Sequence, residues 1–284
     1  MSTIRTAAIL IIGDEILNGK IQDTNSNFFS KLLFSLGVEV KKILVIGDDS
    51  NEIIDSVHRL TSKYDFIITS GGIGPTHDDI TYESIAEAYK LPLKLHQETV
   101  ERMNKLRKDD RNLDEEAQKA QHRMATFPSS DKLIEILYLH EELWVPIIGI
   151  DSKVYILPGV PQLFQKLLVL LVQSSSISER LEGHNRFVRY FIKTELSESE
   201  IAPLLTSLQI KSDSYVSGKY GELTGSSIKI GSYPHMGLNF NTISVLGRVK
   251  DEAFLRGVVN DCVVHCQGIE ISDEEEAQNS ANID

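Results

Sequence analysis

The chain opens with short, unbroken apolar runs separated by segments in which apolar residues recur every three or four positions. Thr6–Ile12 is continuously apolar and ends at Gly13, the pattern of a buried strand. Residues 25–36 carry Phe28, Phe29, Leu32, Leu33 and Leu36 at helical spacing, and Gly37 stops them. Residues 38–46 read as a second strand, and Asp49 or Ser50, with Glu52 nearby, caps a helix whose stripe is Ile53, Ile54, Val57 and Leu60. Residues 65–70 give a third strand. Strands that are apolar throughout are buried on both faces, so repeated strand–helix units predict an α/β fold with a mostly parallel sheet covered by helices on both sides. Ligands of such sheets collect at the carboxyl ends of the strands, which directs attention to the loops at 13–25, 47–50 and 71–81.

Further along, residues 97–107 and 114–124 predict two helices joined by a charged connection. Val154–Leu157 is another short strand, and 161–172 a helix with Pro161 in its first turn. The serines at 174, 175, 176 and 178, followed by Gly183, read as a linker, with the boundary near residue 180. Beyond it, strands at Phe187–Thr194, 226–233 and 243–249 and helices at 198–208 and Glu252–His265 predict a second, smaller α+β domain. The domains are therefore expected at 1–178 and 184–269, and the stretch 270–284, rich in Asp, Glu, Asn and Ser, is expected to be a disordered acidic tail.

Composition narrows the class. A hydrophobic fraction of 41% and a charged fraction of 25% are those of a globular protein. The longest apolar runs fall far short of the roughly 20 residues that span a bilayer, and the start of the chain lacks the features of a signal peptide. Cysteine is sparse, as in a reducing compartment. Cys262 and Cys266 share a helical face with Leu255, Val258, Val259 and Val263, so they read as core rather than as metal ligands. A formal net charge of −12 argues against nucleic acid and anionic membrane as partners. The cytosol is the expected compartment, with mitochondria left open.

The richest segment is Thr69-Ser-Gly-Gly-Ile-Gly-Pro-Thr-His-Asp-Asp-Ile-Thr-Tyr-Glu83. It leaves a strand through Gly71, Gly72 and Gly74 and enters a helix capped by Asp79 or Thr81. Without Cβ atoms the backbone turns tightly and presents N–H groups to an anion, phosphate above all. A tight turn with a capped helix explains the glycines equally well. It does not explain His77, Asp78 and Asp79 together, because adjacent carboxylates repel unless a cation or proton offsets them.

Ser70-Gly-Gly-Ile-Gly74 followed by Asp79-Ile-Thr81 and Glu83 resembles the hallmark of the molybdopterin-binding domain shared by molybdenum-cofactor proteins and CinA-type proteins. Gly13-Asp-Glu-Ile-Leu-Asn-Gly-Lys-Ile-Gln-Asp-Thr-Asn25 and Gly74-Pro-Thr-His-Asp-Asp79 resemble the CinA branch, as does Leu157-Pro-Gly-Val-Pro161. Gly231-Ser-Tyr-Pro234 is similar to eukaryotic FAD synthases that carry such a domain. The resemblance implies a three-layer α/β/α fold of the MoaB/MogA kind and a self-associating, stand-alone protein. It further implies hydrolysis of the diphosphate bond of FAD to FMN and AMP, or of ADP-ribose, with a divalent metal and potassium. Two departures stand out. Asp78 occupies a position where many relatives have arginine, and 139–150 does not resemble the family's GTAPG segment.

Cleaving a P–O–P bond calls for a metal, backbone donors and an oriented water. Asp78, Asp79 and Glu15, joined by Asp48, are the expected metal ligands; their oxygens suit Mg²⁺ or Mn²⁺, and His77 widens the choice to Co²⁺. A carboxylate free of the metal, or His77, is the expected general base. The plainer readings are that Asp14 and Glu15 satisfy the next turn, that His77 is solvated, and that Asp48 caps a helix. Asn25, Ser70 and Thr76 offer neutral hydrogen bonds; Gly13, Asp14, Gly71, Gly72, Gly74, Pro75 and Thr81 shape the cradle; Pro158, Gly159 and Pro161 form a wall. Lys119 and Arg123, one helical turn apart, reach one phosphate or remain solvated charge. Two other functions stay open: adenylyl transfer to molybdopterin in molybdenum-cofactor synthesis, and a non-catalytic flavin-nucleotide binding module.

Overall fold

The computed structural model describes residues 2–106, 114–181, 186–221, 228–235 and 238–281, and the chain divides into two compact units, Met1–Glu182 and Gly183–Asp284. The first unit begins β1 (Thr6–Ile12), α1 (Asp14–Leu17), α2 (Asn25–Ser35), β2 (Glu39–Ile46), α3 (Ser50–Thr61), β3 (Phe66–Ser70) and α4 (Thr81–Ala88). It continues β4 (Leu93–Leu95), α5 (Gln97–Leu106), α6 (Glu115–Arg123), β5 (Thr126–Pro128), β6 (Ile134–Leu137) and β7 (Ile147–Ile150). It ends with β8 (Val154–Leu157), α7 (Pro161–Gln173) and α8 (Ser175–Ser178).

A six-stranded sheet runs in the order β2-β1-β3-β8-β7-β6. Neighbours from β2 to β8 pair in parallel, whereas β7 is antiparallel to both β8 and β6. The period of two along β1 sorts its side chains between two cores. Ala7, Ile9 and Ile11 pack with Phe29 and Leu33 of α2 and Phe164 and Leu168 of α7. Ala8, Leu10 and Ile12 pack with Ile53 and Val57 of α3 and Ile85 of α4. Both faces are thus buried, each enclosed Leu or Ile contributing roughly 1.5–3 kcal/mol, and the result is the expected three-layer, mostly parallel fold. β4 and β5 pair separately, near a small cluster of Val100, Met103 and Ala125 against which Met124 and Trp144 pack.

The second unit comprises β9 (Phe187–Thr194), α9 (Glu198–Tyr220), β10 (Lys229–His235), β11 (Phe240–Arg248), α10 (Glu252–His265), β12 (Ile269–Ile271) and α11 (Asp273–Ala281). Its sheet, in the order β10-β11-β9-β12, is antiparallel throughout. One face, with Ile192, Ile243 and Val245, packs on Ile201 and Leu208 of α9 and Leu255, Val258 and Cys262 of α10. The two cysteines are free and buried in this core, and burial pushes the Cys262 thiol up to about 12.

Several expectations are corrected. The serine-rich stretch is no linker: α8 buries Ile177 in the first core, and Arg180 donates to the Ser2 and Ser152 carbonyls at 3.1 and 2.7 Å, tying the segment down. Gly183 lies outside the described residues. Part of the acidic tail is ordered, because β12 pairs with β9 and Glu276 of α11 accepts a 2.8 Å hydrogen bond from Thr242 on the sheet; residues 282–284 lie outside the described residues. The charged connection at 107–113 also lies outside them. Helix α9 runs past Leu208 to Tyr220 because Ser212 is also buried and Tyr215 and Val216 also pack on the core of this unit. Three strands, β5 to β7, lie in a region where no strand was expected. Among the described residues no helix is long and apolar enough to cross a membrane.

Candidate functional site

Where β1, β3 and β8 end, their three loops enclose a cavity of about 460 Å³. The loop after β1 contributes Glu15, Ile16, Ile21 and Asn25; the turn after β3 contributes Ser70, Gly71, Gly72, Ile73, Gly74 and Asp79; the turn after β8 contributes Pro158, Gly159, Val160 and Pro161. Met124 and Trp144 complete the wall.

The β3 turn can be built only from glycine at its first position. Gly71 has φ +111°, and a Cβ there would sit 2.1 Å from the Ile12 carbonyl oxygen, a clash of backbone with backbone. Thr81 pins the turn from the far side: its hydroxyl donates to the Gly71 carbonyl and its amide to the Gly72 carbonyl, each at 3.0 Å. Thr81 is fully buried, so it holds the turn and does not face a ligand. Among the described residues, the amides of Gly72, Ile73 and Gly74 donate to no protein acceptor. Three successive free donors lining a cavity form an anion cradle.

Asn25, at the start of α2, ties two of these loops together. Its Nδ2 donates to Ser70 Oγ at 3.0 Å and to the Gly159 carbonyl at 2.8 Å. Its Oδ1 is buried without a partner, a state that costs roughly 1–3 kcal/mol.

The rest of the turn differs from expectation. Neither Asp79 nor Thr81 caps α4; the cap position is Ile80, without a side-chain bond. Asp79 instead folds back, its Oδ2 accepting from the Thr76 amide at 2.9 Å and the Thr76 hydroxyl at 2.5 Å, while its own amide donates to the Thr76 carbonyl at 3.2 Å. Arg123, at the end of α6, clamps this turn. Its guanidinium donates to the Thr76 carbonyl at 2.8 Å, the Asp79 carbonyl at 2.9 Å and Glu83 Oε1 at 3.1 Å. Three of its donors thus serve protein acceptors of this turn. Lys119 is exposed on α6 and does not line the cavity. Lys119 thus stands in solvent, whereas Arg123 is engaged with the turn and is not solvated charge.

The carboxylates divide into distinct environments. Glu15 lines the cavity, and among the described residues its carboxylate accepts no hydrogen bond. Asp48 accepts from the Asp14 amide at 3.1 Å; the α3 cap is Asp49, which accepts from the Glu52 amide at 2.9 Å. Burial, and then the charges of Asp14, Glu15 and Asp78, push the Asp48 carboxyl above its ordinary range. Asp78 is exposed outside the cavity, and the nearby Thr76 hydroxyl and its own amide hold its carboxyl below the usual range. His77 is exposed beside it, Nδ1 lying 3.9 Å from Asp78 Oδ1. Among the described residues no three His, Cys, Asp or Glu side chains stand together in a way that could hold a metal ion. Gly13, Asp14, Pro75 and Thr76 likewise shape the loops without lining this cavity.

Met124, Trp144, Ile21 and Val160 were not anticipated. Trp144 offered one signal, as the only tryptophan in the chain, placed in the loop that departs from the family pattern.

A doubly wound α/β layer with free amides at the carboxyl ends of its strands has the place where sheets of this class bind ligands. A family model described as a probable molybdopterin-binding domain matches residues 8–176, and the chain belongs to that family. It is 34% identical over 248 residues to a probable FAD synthase of Caenorhabditis elegans, covering 82% of this chain and 44% of that protein. It is 33% identical over 196 residues to a CinA-like protein of Myxococcus xanthus, covering 68% and 46%. The chain thus spans less than half the length of both. Among solved structures, the CinA protein of Thermoplasma acidophilum, whose function is unknown, matches with a TM-score of 0.52 at 27% identity, over 61% of this chain and 98% of that one.

Proposed function

We propose that the cavity binds a nucleotide diphosphate and hydrolyses the P–O–P bond of FAD, giving FMN and AMP, with ADP-ribose as a further substrate of the same kind. The observation that carries the reading is the row of free amides at Gly72, Ile73 and Gly74, set in a cavity that also holds the unengaged carboxylate of Glu15. The naming of the C. elegans relative as a FAD synthase supports the choice of a flavin nucleotide.

The amides take the charge that develops on the phosphate oxygens, already in place before reaction. Glu15 accepts a proton from the attacking water as its oxygen bonds to phosphorus and the bridging P–O bond breaks. Asp79, already holding two donors from Thr76, chiefly shapes the cradle.

Oxygen donors of this kind fit a hard divalent cation such as Mg²⁺ or Mn²⁺. Asp48 and one oxygen of Glu15 would hold such an ion, the other Glu15 oxygen being left to face the water, with Asp78 and Asp79 at the periphery. A Mg²⁺ ion commonly takes only one or two protein carboxylates and completes its shell with phosphate oxygens and water, which suits a site lacking a cluster of three. The ion supplies neutralisation of phosphate charge.

The test is incubation with FAD, ADP-ribose, NAD and NADH under Mg²⁺, Mn²⁺ or Co²⁺, with products resolved by chromatography. Glu15→Gln and Asp79→Asn accompany the wild type, since Asn retains an acceptor for Thr76. FMN plus AMP from FAD, strongly reduced in Glu15→Gln, is expected. Saturable binding without product under any metal overturns hydrolysis and leaves a binding module; AMP transfer to a pterin without net hydrolysis establishes the molybdenum-cofactor reading instead.

A further inference from the structure

A second cavity of about 440 Å³ lies beside the first and shares Met124 and Trp144 with it. Its other walls include Pro75, Ala117, Ala120 and Gln121. Pro75 follows directly on Gly74, the last of the three residues with free amides, so the turn that cradles phosphate passes from one cavity to the other. The lining is aliphatic and aromatic apart from Gln121. That composition suits a planar ring stacked on apolar side chains with one amide at its edge.

We propose that the second cavity is a binding subsite for an aromatic ring, so that a dinucleotide lies with its diphosphate along the 72–75 turn and one ring on each side of the Met124–Trp144 wall. The inference rests on the nucleotide reading of the first cavity and specifies its substrate class: a diphosphate carrying an aromatic group at both ends. Ligands with one ring, such as ADP-ribose, fill a single subsite. Gln121 supplies both a donor and an acceptor to a ring edge, and Ala117 and Ala120 leave the room that larger residues on α6 would take.

The two halves of FAD test this without turnover. Trp144 is the only tryptophan and lines both cavities, so its fluorescence reports occupancy of either. AMP and FMN are titrated singly and together into wild type and Ala120→Phe, with far-ultraviolet circular dichroism confirming that the variant is folded. The expected result is simultaneous binding, the affinity for FMN changing less than about twofold when AMP is saturating, while Ala120→Phe weakens one half by about tenfold or more and spares the other. Mutual displacement of the halves overturns the inference, as does an equal effect of Ala120→Phe on both or on neither. If FAD is hydrolysed while its halves compete, the second subsite falls and the hydrolase reading stands. If the halves bind together and FAD is not hydrolysed, the reverse holds; if neither half binds, the second subsite falls, and the hydrolase reading falls with it only if FAD also gives no product.

Discussion

Replacing Arg123 with alanine isolates what holds the Thr76–Asp79 turn. The guanidinium makes two charge-assisted bonds to main-chain carbonyls, at 2.8 and 2.9 Å, and a 3.1 Å pair with Glu83. With about a third of the arginine side chain exposed, solvent screening brings each carbonyl bond to about 1 kcal/mol, below the roughly 1.5–3 kcal/mol of a charged donor. The half-exposed ion pair adds between nothing and about 1 kcal/mol. The sum, about 2 kcal/mol, corresponds to a shift of about 30-fold in the opening equilibrium of the turn. Native-state hydrogen exchange on ligand-free protein reads this directly at Thr76 and Asp79, whose amides close the turn. Their exchange should accelerate by about 30-fold in Arg123→Ala, with global stability falling by less than the local figure. Arg123→Lys should show most of the effect, because one ammonium cannot reproduce the fork that spans both carbonyls. Unchanged exchange at both residues, together with weakened nucleotide binding, would refute the clamp and return Arg123 to a direct phosphate contact.

Gly71→Ala places a Cβ 2.1 Å from the Ile12 carbonyl at a φ of +111°, between strands that cannot separate cheaply. Urea unfolding should show a loss of about 3 kcal/mol or more, and a loss under about 1 kcal/mol would mean that β1 and the turn are not in this contact. Asp48 makes stability depend on pH. Its folded carboxyl is raised above the ordinary 3.8, so ionising it costs native stability as pH rises through the raised value, and below the ordinary value the cost vanishes. Asp48→Asn, which keeps an acceptor for the Asp14 amide, should therefore raise the urea midpoint at pH 7 and not at pH 3. A gain that is equal at both pH values would show that charge is not its cause.

The framework was legible because its strands bury both faces. Thr6–Ile12 and Val154–Leu157 carry no charged residue to blur their limits, and Phe187–Thr194 and Glu252–His265 have the clear periods of a half-buried strand and a packed helix. What escaped reading was broken by local signals that tertiary pairing overrides. Pro128 ends β5 at an edge, and Gly149 sits within β7 because a Cβ there would meet the Tyr155 ring at 3.0 Å. The acidic sequence of α11 gave no apolar stripe, yet Glu276 docks through a buried hydroxyl of the sheet. At the site, the glycine cradle and Asn25 were local and could be read. The reach of Arg123 to residues 44 and 47 positions away, and the approach of Trp144 to the cradle, depend on how the segments after β4 fold back.

This placement changes what Asp78 means. As a sequence, an aspartate where relatives carry arginine suggests that a phosphate clamp has been exchanged for a metal ligand. In the fold, Asp78 stands outside the cavity with its charge already favoured by Thr76. The cation's place in a phosphate clamp is therefore lost without a carboxylate being gained inside. Asp79 faces the cavity but holds the turn, and Glu15 alone among the cavity's named acids combines access with a free carboxylate. Metal dependence, if it follows the proposed chemistry, should thus track Glu15 far more closely than Asp78. The deletion of charge at Asp78 should leave the metal requirement in place, since the proposed ligands are Glu15 and Asp48 and Asp78 stands only at the periphery. Equal loss of metal-dependent turnover in Asp78→Asn and Glu15→Gln would show that the turn closes inward when a nucleotide binds and brings Asp78 to the phosphates.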